Sequence, residues 1–182
     1  MEVYVIDKEL DSTISSAKVC KCEYCNKIKL CFEKEKYKNV YLQNLVKDRN
    51  LLYGDEDEAI ENTIMALNIL NSDSPQFFKD IAELLVRKSV KLLKRLYGDD
   101  ATLIDLNNLV WNSNGIGKKI VNEFSKLPTI NPIEQKENDE IVIWFIKDYY
   151  SGMTGAQGGT KTYEHCSGAR AQIYKLISIN ES

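Results

Sequence analysis

Three stretches of the chain carry residues whose types and spacing could do chemistry. From Ser151 to Gly168 the sequence SGMTGAQGGTKTYEHCSG holds five of the nine glycines, together with Lys161, His165 and Cys166. A loop of this kind could wrap backbone amides around phosphates. A P-loop, however, needs G-x-x-x-x-G-K-[ST], with lysine directly after the last glycine. Here Thr160 separates Gly159 from Lys161, and the loop leaves a predicted helix where a P-loop leaves a strand. The spacing therefore predicts a helix–helix connection in which glycine supplies positive backbone dihedrals. It leaves open a loop that presents Lys161 and several amides to a polyanion. His165 and Cys166 are adjacent, so on a helix their side chains point about 100° apart and form no nucleophile–base dyad.

The second stretch, VCKCEYCNKIKLCFEK, holds Cys20, Cys22, Cys25 and Cys31. Cys22-Glu-Tyr-Cys25 has the shape of a zinc knuckle, in which two thiolates on a tight turn grip one metal. A ribbon needs a second pair after the predicted strand Val40–Leu42, and Gln43–Val46 offer no usual zinc ligand. A site of four thiolates would then take Cys20 and Cys31 from the same hairpin, a cramped arrangement. The alternatives are zinc at this hairpin or a set of reduced thiols, and no other cofactor is expected.

The third stretch puts Arg87, Lys88, Lys91, Lys94 and Arg95 into nine residues. At about 100° per residue they share an arc of about 120°, roughly opposite Phe78, Leu85, Leu92 and Leu96. A lengthwise cationic stripe is the electrostatic footprint of a helix lying on a phosphate backbone. The plainer alternative is a solvated face, partly neutralised by Glu83 four residues before Arg87. Lys161, Arg170 and Lys175 form a thinner second set, and Lys118–Lys119 after Gly115-Ile-Gly117 a third, near a helix start. Tyr163 and Tyr174 could stack on bases, although at least one belongs to the core. The stripe predicts weak DNA binding without sequence specificity, falling steeply with salt. The acidic group from Asp55 to Glu61 is explained by the dipole at a helix start.

These groups need elements to hold them, and the chain of 182 residues is long enough for one sizeable core with a small appendage. With 24 basic and 27 acidic residues the net charge is −3, so any basic surface is local. The longest apolar run, Ile141–Ile146, is too short to cross a bilayer, and Met1 opens no signal-peptide pattern. Five cysteines without secretory context point to a reducing cytoplasm. Val3–Ile6, the alternation at Ile28, Leu30 and Phe32, and Val40–Leu42 read as short strands of a small α/β segment over residues 1–54.

From residue 55 to 182 the periodicity is helical. Ala59, Ile60, Thr63, Ile64, Leu67 and Leu70 mark a first helix. Ser74-Pro75 opens a second that stops at Gly98. Thr102 with Asp105 forms a capping-box pattern before TLIDLNNLVW. A shorter helix, GIGKKIVNEFSKL, ends before Pro128, and Asn131-Pro132 opens another toward Tyr150. Ala169, Ile173, Leu176 and Ile177 mark the last. The fold class predicted is mainly α, a helical bundle behind a small N-terminal α/β segment.

The segments KTYEHCSGARAQIYKL, WFIKDYYSG and LLKRLYGDDATLIDLNNLV resemble the all-α domain of conjugative coupling proteins, the TraG-type ATPases of type IV secretion systems. VYVIDKELD resembles the strand after the ATP-binding helix in that family, but lacks the Pro-Lys-Gly of its V-x-D-P-K/E-G-D pattern. The resemblance covers residues from about Gly54 to Ile179. It implies an insertion domain of a homo-hexameric motor at the cytoplasmic face of the membrane, one that contacts a relaxase or relaxosome protein and DNA. No G-x-x-x-x-G-K-[ST] occurs in the chain, so an insertion domain without ATPase chemistry of its own is expected, and no membrane contact by this segment. A zinc-stabilised DNA-binding or regulatory module built on the Cys20–Cys31 hairpin is the second possibility.

Overall fold

A computed structural model describes residues 50–70, 73–154 and 161–180. The strands expected before residue 50, the four cysteines Cys20, Cys22, Cys25 and Cys31, and residues 155–160 of the glycine stretch lie outside the described residues. The chain divides into two compact units, 1–37 and 38–182, and all described residues belong to the second. Leu51 and Leu52, just before the turn at Gly54, are both fully buried in the helical core. Asn50 fixes this entry: its side-chain amide donates to the Ala101 carbonyl at 2.8 Å, while its Oδ1 accepts from the Leu52 N–H at 3.1 Å.

The described residues are helical, with no strand among them. Helix α1, Glu56–Leu70, starts where Asp55 Oδ1 accepts the Glu58 N–H at 2.8 Å. It buries Ala59, Ile60, Thr63, Ile64, Ala66 and Leu67, the three-and-four spacing of an inward stripe. Helix α2, Gln76–Tyr97, begins one residue later than expected: Pro75, not Ser74, is the N-cap, and no side chain closes it. Gly98, at φ 59°, ends it and donates its N–H to the Lys94 carbonyl. Leu85, Val86, Ser89, Val90, Leu92 and Leu93 are all fully buried. At about 100° per residue they span an arc of about 160°, a broad face that can meet several helices at once. α2 is the central helix, packed against the four longer helices that follow as well as against α1.

Helix α3, Leu103–Trp111, opens with both limbs of the capping box: Thr102 accepts the Asp105 N–H, and Asp105 accepts the Thr102 N–H. It ends in a left-handed stretch at Asn112 (φ 50°), Asn114 (φ 53°) and Gly115 (φ 75°). Helix α4, Ile116–Phe124, follows at once. Helix α5, Pro132–Ile143, is capped by Asn131, whose side chain accepts from the Ile133 N–H. The one-turn helix α6, Thr162–His165, leads into α7, Ser167–Asn180, which buries Ala169, Ile173 and Leu176 against α3, α1 and α2.

The sequence predicts a helix from Asn131-Pro132 toward Tyr150, and the backbone stays helical that far but changes pitch. From Trp144 to Tyr149 the backbone widens into a π turn, followed by a tighter turn over Tyr150–Thr154. The widening aims two consecutive tyrosines inward. Tyr149 donates its hydroxyl to the Val110 carbonyl and Tyr150 to that of Leu109, each at 2.7 Å. These carbonyls belong to the last turn of α3, where no intrahelical N–H can reach them. A pair of phenols thus caps the buried end of α3. Burial pushes both phenol pKa values well above the ordinary range.

No helix of the described residues is long and apolar enough to cross a membrane.

Candidate functional site

The cationic stripe of α2 is where the sequence places it, but its surroundings differ from a free face. Because α2 is central, its cations meet carboxylates from α1 and α5. Arg95 donates to Glu56 at 2.9 Å, to Glu137 at 2.5 Å and to Asn138 Oδ1 at 2.6 Å. Lys91 lies 2.6 Å from Glu137 and 3.2 Å from Glu56. Arg87 meets Glu83 at 2.8 Å and Glu61 at 3.0 Å. Lys94 reaches Asp99 at 2.6 Å, and Lys88 sits 5.6 Å above the centre of the Trp144 ring. Arg87, Lys91, Lys94 and Arg95 are therefore answered by Glu56, Glu61, Glu83, Asp99 and Glu137, which leaves the stripe close to neutral. The acidic start of α1 does more than complement a dipole: Glu56 and Glu61 are the partners of α2.

Protonation follows the same geometry. Hydrogen bonds from Lys91 and then Arg95 hold the Glu137 carboxyl below its ordinary value, against the opposing effect of desolvation. For Lys91 desolvation pulls downward, but hydrogen bonds to Glu137 and Glu56 outweigh it and the net direction is up.

The thinner set splits. Lys161 and Lys175 are exposed, whereas Arg170 is 5% exposed and lies inside the bundle. Its guanidinium stacks on Tyr163 at 3.5 Å, faces Trp111 at 5.1 Å, and donates to the Tyr163 carbonyl. The expectation of a phosphate-contacting surface arginine at this position is corrected on that ground: α7 turns Arg170 toward the core. Tyr163 belongs with it, while Tyr174 is 60% exposed. Cys166 is buried and burial lifts its thiol to about 11, so it is not a thiolate at neutral pH. Neighbouring His165 packs edge-on against Phe77 instead. Among the described residues no group of His, Cys, Asp or Glu is placed to hold a metal.

Gly115-Ile-Gly117-Lys118 is not an amide cradle for an anion. The Lys118 N–H is taken by Asn112 Oδ1 at 2.8 Å. Gly117 is needed for close approach, since a Cβ there would lie 2.5 Å from both the Leu109 carbonyl oxygen and the Tyr150 hydroxyl.

Beside this contact the surface opens into a groove of about 380 Å³ between α4 and the π turn. Lys118, Val121, Asn122 and Ser125 line one wall, at the spacing of a single helical stripe; Ile146, Tyr150 and Ser151 line the other. A second depression, of about 350 Å³, lies between the starts of α2 and α7, with Phe78, Lys79, His165 and Ser167 in its walls. Sequence reasoning missed the first groove. The aromatic run Phe145, Tyr149 and Tyr150 gives no advance signal of it, because the i, i+4, i+5 spacing is one that regular α-helices also bury, as α2 does with Leu85, Ser89 and Val90.

Comparison with known proteins adds no relative to this geometry: no family model, no curated protein and no solved structure matches the chain.

Proposed function

We propose that the chain is a non-catalytic recognition domain of the kind inserted in conjugative coupling proteins, and that it contacts a relaxase or relaxosome protein at the cytoplasmic face of the membrane. The observation that carries this reading is how the polar groups are used. Ion pairs of Lys91 and Arg95 with Glu56 and Glu137 tie α1, α2 and α5 together, and exposed lysines such as Lys161 and Lys175 lie on the outer surface. Work done at such a surface is recognition of a partner. The family named rests on the resemblance of residues from about Gly54 to Ile179.

Protein is the main contact in this reading and DNA a weak one, made by exposed lysines such as Lys161 and Lys175. The test immobilises the full chain and measures binding of a purified relaxase, with and without its DNA, by biolayer interferometry. Relaxase binding that survives nuclease treatment is the expected result; its absence sinks the reading. A duplex DNA arm separates the roles of the stripe. Replacing Arg87, Lys91 and Arg95 by glutamine is expected to lower thermal stability while leaving the salt dependence of DNA binding nearly unchanged. A drop of the salt slope by about 3 would instead put all three cations on phosphates.

A further inference from the structure

The groove between α4 and the π turn differs from the rest of the surface in how its charges are used. Along α2 the cations are paired with carboxylates or set over a ring. Around the groove Lys118, Lys119, Lys126 and Lys147 are exposed, and none has an ion-pair partner among the described residues. At about 100° per residue, Lys119 and Lys126 fall on the outer edge of the Lys118/Asn122/Ser125 stripe, so they rim that wall. Lys147 follows Ile146 on the opposite wall, and its carbonyl accepts the Ser151 hydroxyl. Among the described residues, none of the acids nearby forms an ion pair with these lysines. Glu123 faces the Tyr97 hydroxyl at 3.5 Å, Asp139 accepts from Gln135 at 2.9 Å, and Glu140 lies 3.9 Å from Lys136. Asp148 is also engaged.

The floor is apolar. Val121 and Tyr150 are buried and close the base of the groove, the Tyr150 hydroxyl being turned inward to Leu109, and Ile146, 56% exposed, offers most of its apolar contact surface. The Ser125 hydroxyl is spent on the Asn122 carbonyl. We propose that this groove docks an acidic amphipathic segment of a partner protein, its apolar side chains seated on Val121, Ile146 and Tyr150 and its carboxylates answered by Lys118, Lys126 and Lys147. Charge complementarity selects the sign of the partner: a chain with net charge −3 keeps an unpaired cationic rim at this place. The floor selects a peptide over a nucleic acid. Bases bind by stacking on open aromatic faces, and here the only ring is 2% exposed beside aliphatic side chains. A helix presenting side chains at i, i+3 or i+4, and i+7 matches an open groove of this kind.

The proposal deepens the recognition reading by naming the surface and the partner chemistry. Its test uses the full chain and fluorescein-labelled peptides of about 15 residues, a length at which an isolated helix is marginal and docking would complete it. One carries leucines at i, i+4 and i+7 with glutamates elsewhere; a second has the same leucines with lysines; a third scrambles the acidic one. Fluorescence anisotropy is expected to give a dissociation constant on the order of tens of micromolar for the patterned acidic peptide. The lysine and scrambled peptides should bind at least about tenfold more weakly. Ile146→Asp and Lys118→Glu, both exposed and checked for unchanged thermal melting, should each weaken the acidic peptide by about tenfold. Equal binding of the three peptides, indifference to both substitutions, or displacement by single-stranded DNA at equal charge overturns the proposal. The relaxase assay keeps the two ideas apart. Relaxase bound equally by wild type and Ile146→Asp leaves the recognition reading standing without this groove, and peptide binding without relaxase binding does the reverse.

Discussion

Gly117→Ala is expected to lower the unfolding free energy of the helical unit by about 2–4 kcal/mol. The added Cβ would stand 2.5 Å from the Leu109 carbonyl oxygen and 2.5 Å from the Tyr150 hydroxyl, the acceptor and donor of one buried hydrogen bond. Neither atom is the loose end of a flexible chain. The carbonyl is backbone in α3, and the hydroxyl tops a buried ring. Relief requires α4 to move off α3 or the hydrogen bond to break, which leaves a buried acceptor without a partner. Gly115→Ala is the matched control. It has open space around the new Cβ, and its cost of about 1 kcal/mol comes only from φ at +75°. Urea denaturation of the two variants should therefore separate steric from backbone effects. Equal losses would mean that α4 does not approach α3 as described.

Arg95→Ala is the second large effect, with an expected loss of about 2–3 kcal/mol. Removing one partner of a buried pair costs about 3–5 kcal/mol. The lower figure allows for water around Glu56 and Glu137, whose side chains are 28% and 41% exposed. Asn138, 3% exposed, also loses the donor to its Oδ1. The pH dependence gives an independent readout. Glu137 titrates below its unfolded value in the folded chain, so its contribution is present above a pH of about 4.5 and is lost as pH falls through the folded pKa. Lys91 is shifted upward, so its contribution is present below a pH of about 10.4 and disappears as pH rises through its folded pKa. Arg95→Ala should flatten the acid limb of the stability curve in part, since Lys91, the larger cause of the lowered Glu137 pKa, stays in place, while keeping much of the alkaline limb. An unchanged acid limb would mean that Arg95 does not hold Glu137.

The sequence reads well where structure depends on neighbours. Thr102 and Asp105 are three residues apart, and their reciprocal cap forms as the pattern predicts. Asn131-Pro132 and Gly98 likewise mark helix limits through local backbone rules. Legibility fails where the partner is distant. The cations of α2 lie on one face by periodicity, yet whether that face is free depends on Glu56, 39 residues before Arg95, and Glu137, 42 residues after it. Arg170 reads as surface because arginine usually is. The aromatic slot that accepts it is assembled from Trp111 on α3 and Tyr163 on α6. The π turn is hidden for a related reason: Tyr149 and Tyr150 select it only because two carbonyls of α3 wait for them. The groove depends on that turn, so it is equally out of reach.

The paired phenols have one more consequence. Parting α3 from the stretch after α5 cannot proceed one bond at a time, because adjacent residues on one backbone grip adjacent residues on the other. The seam should thus open as a single cooperative event, with slow amide deuteration of matching free energy on both sides. Since Tyr150 also floors the groove, any occupant would meet a wall already set and lose little entropy in shaping it.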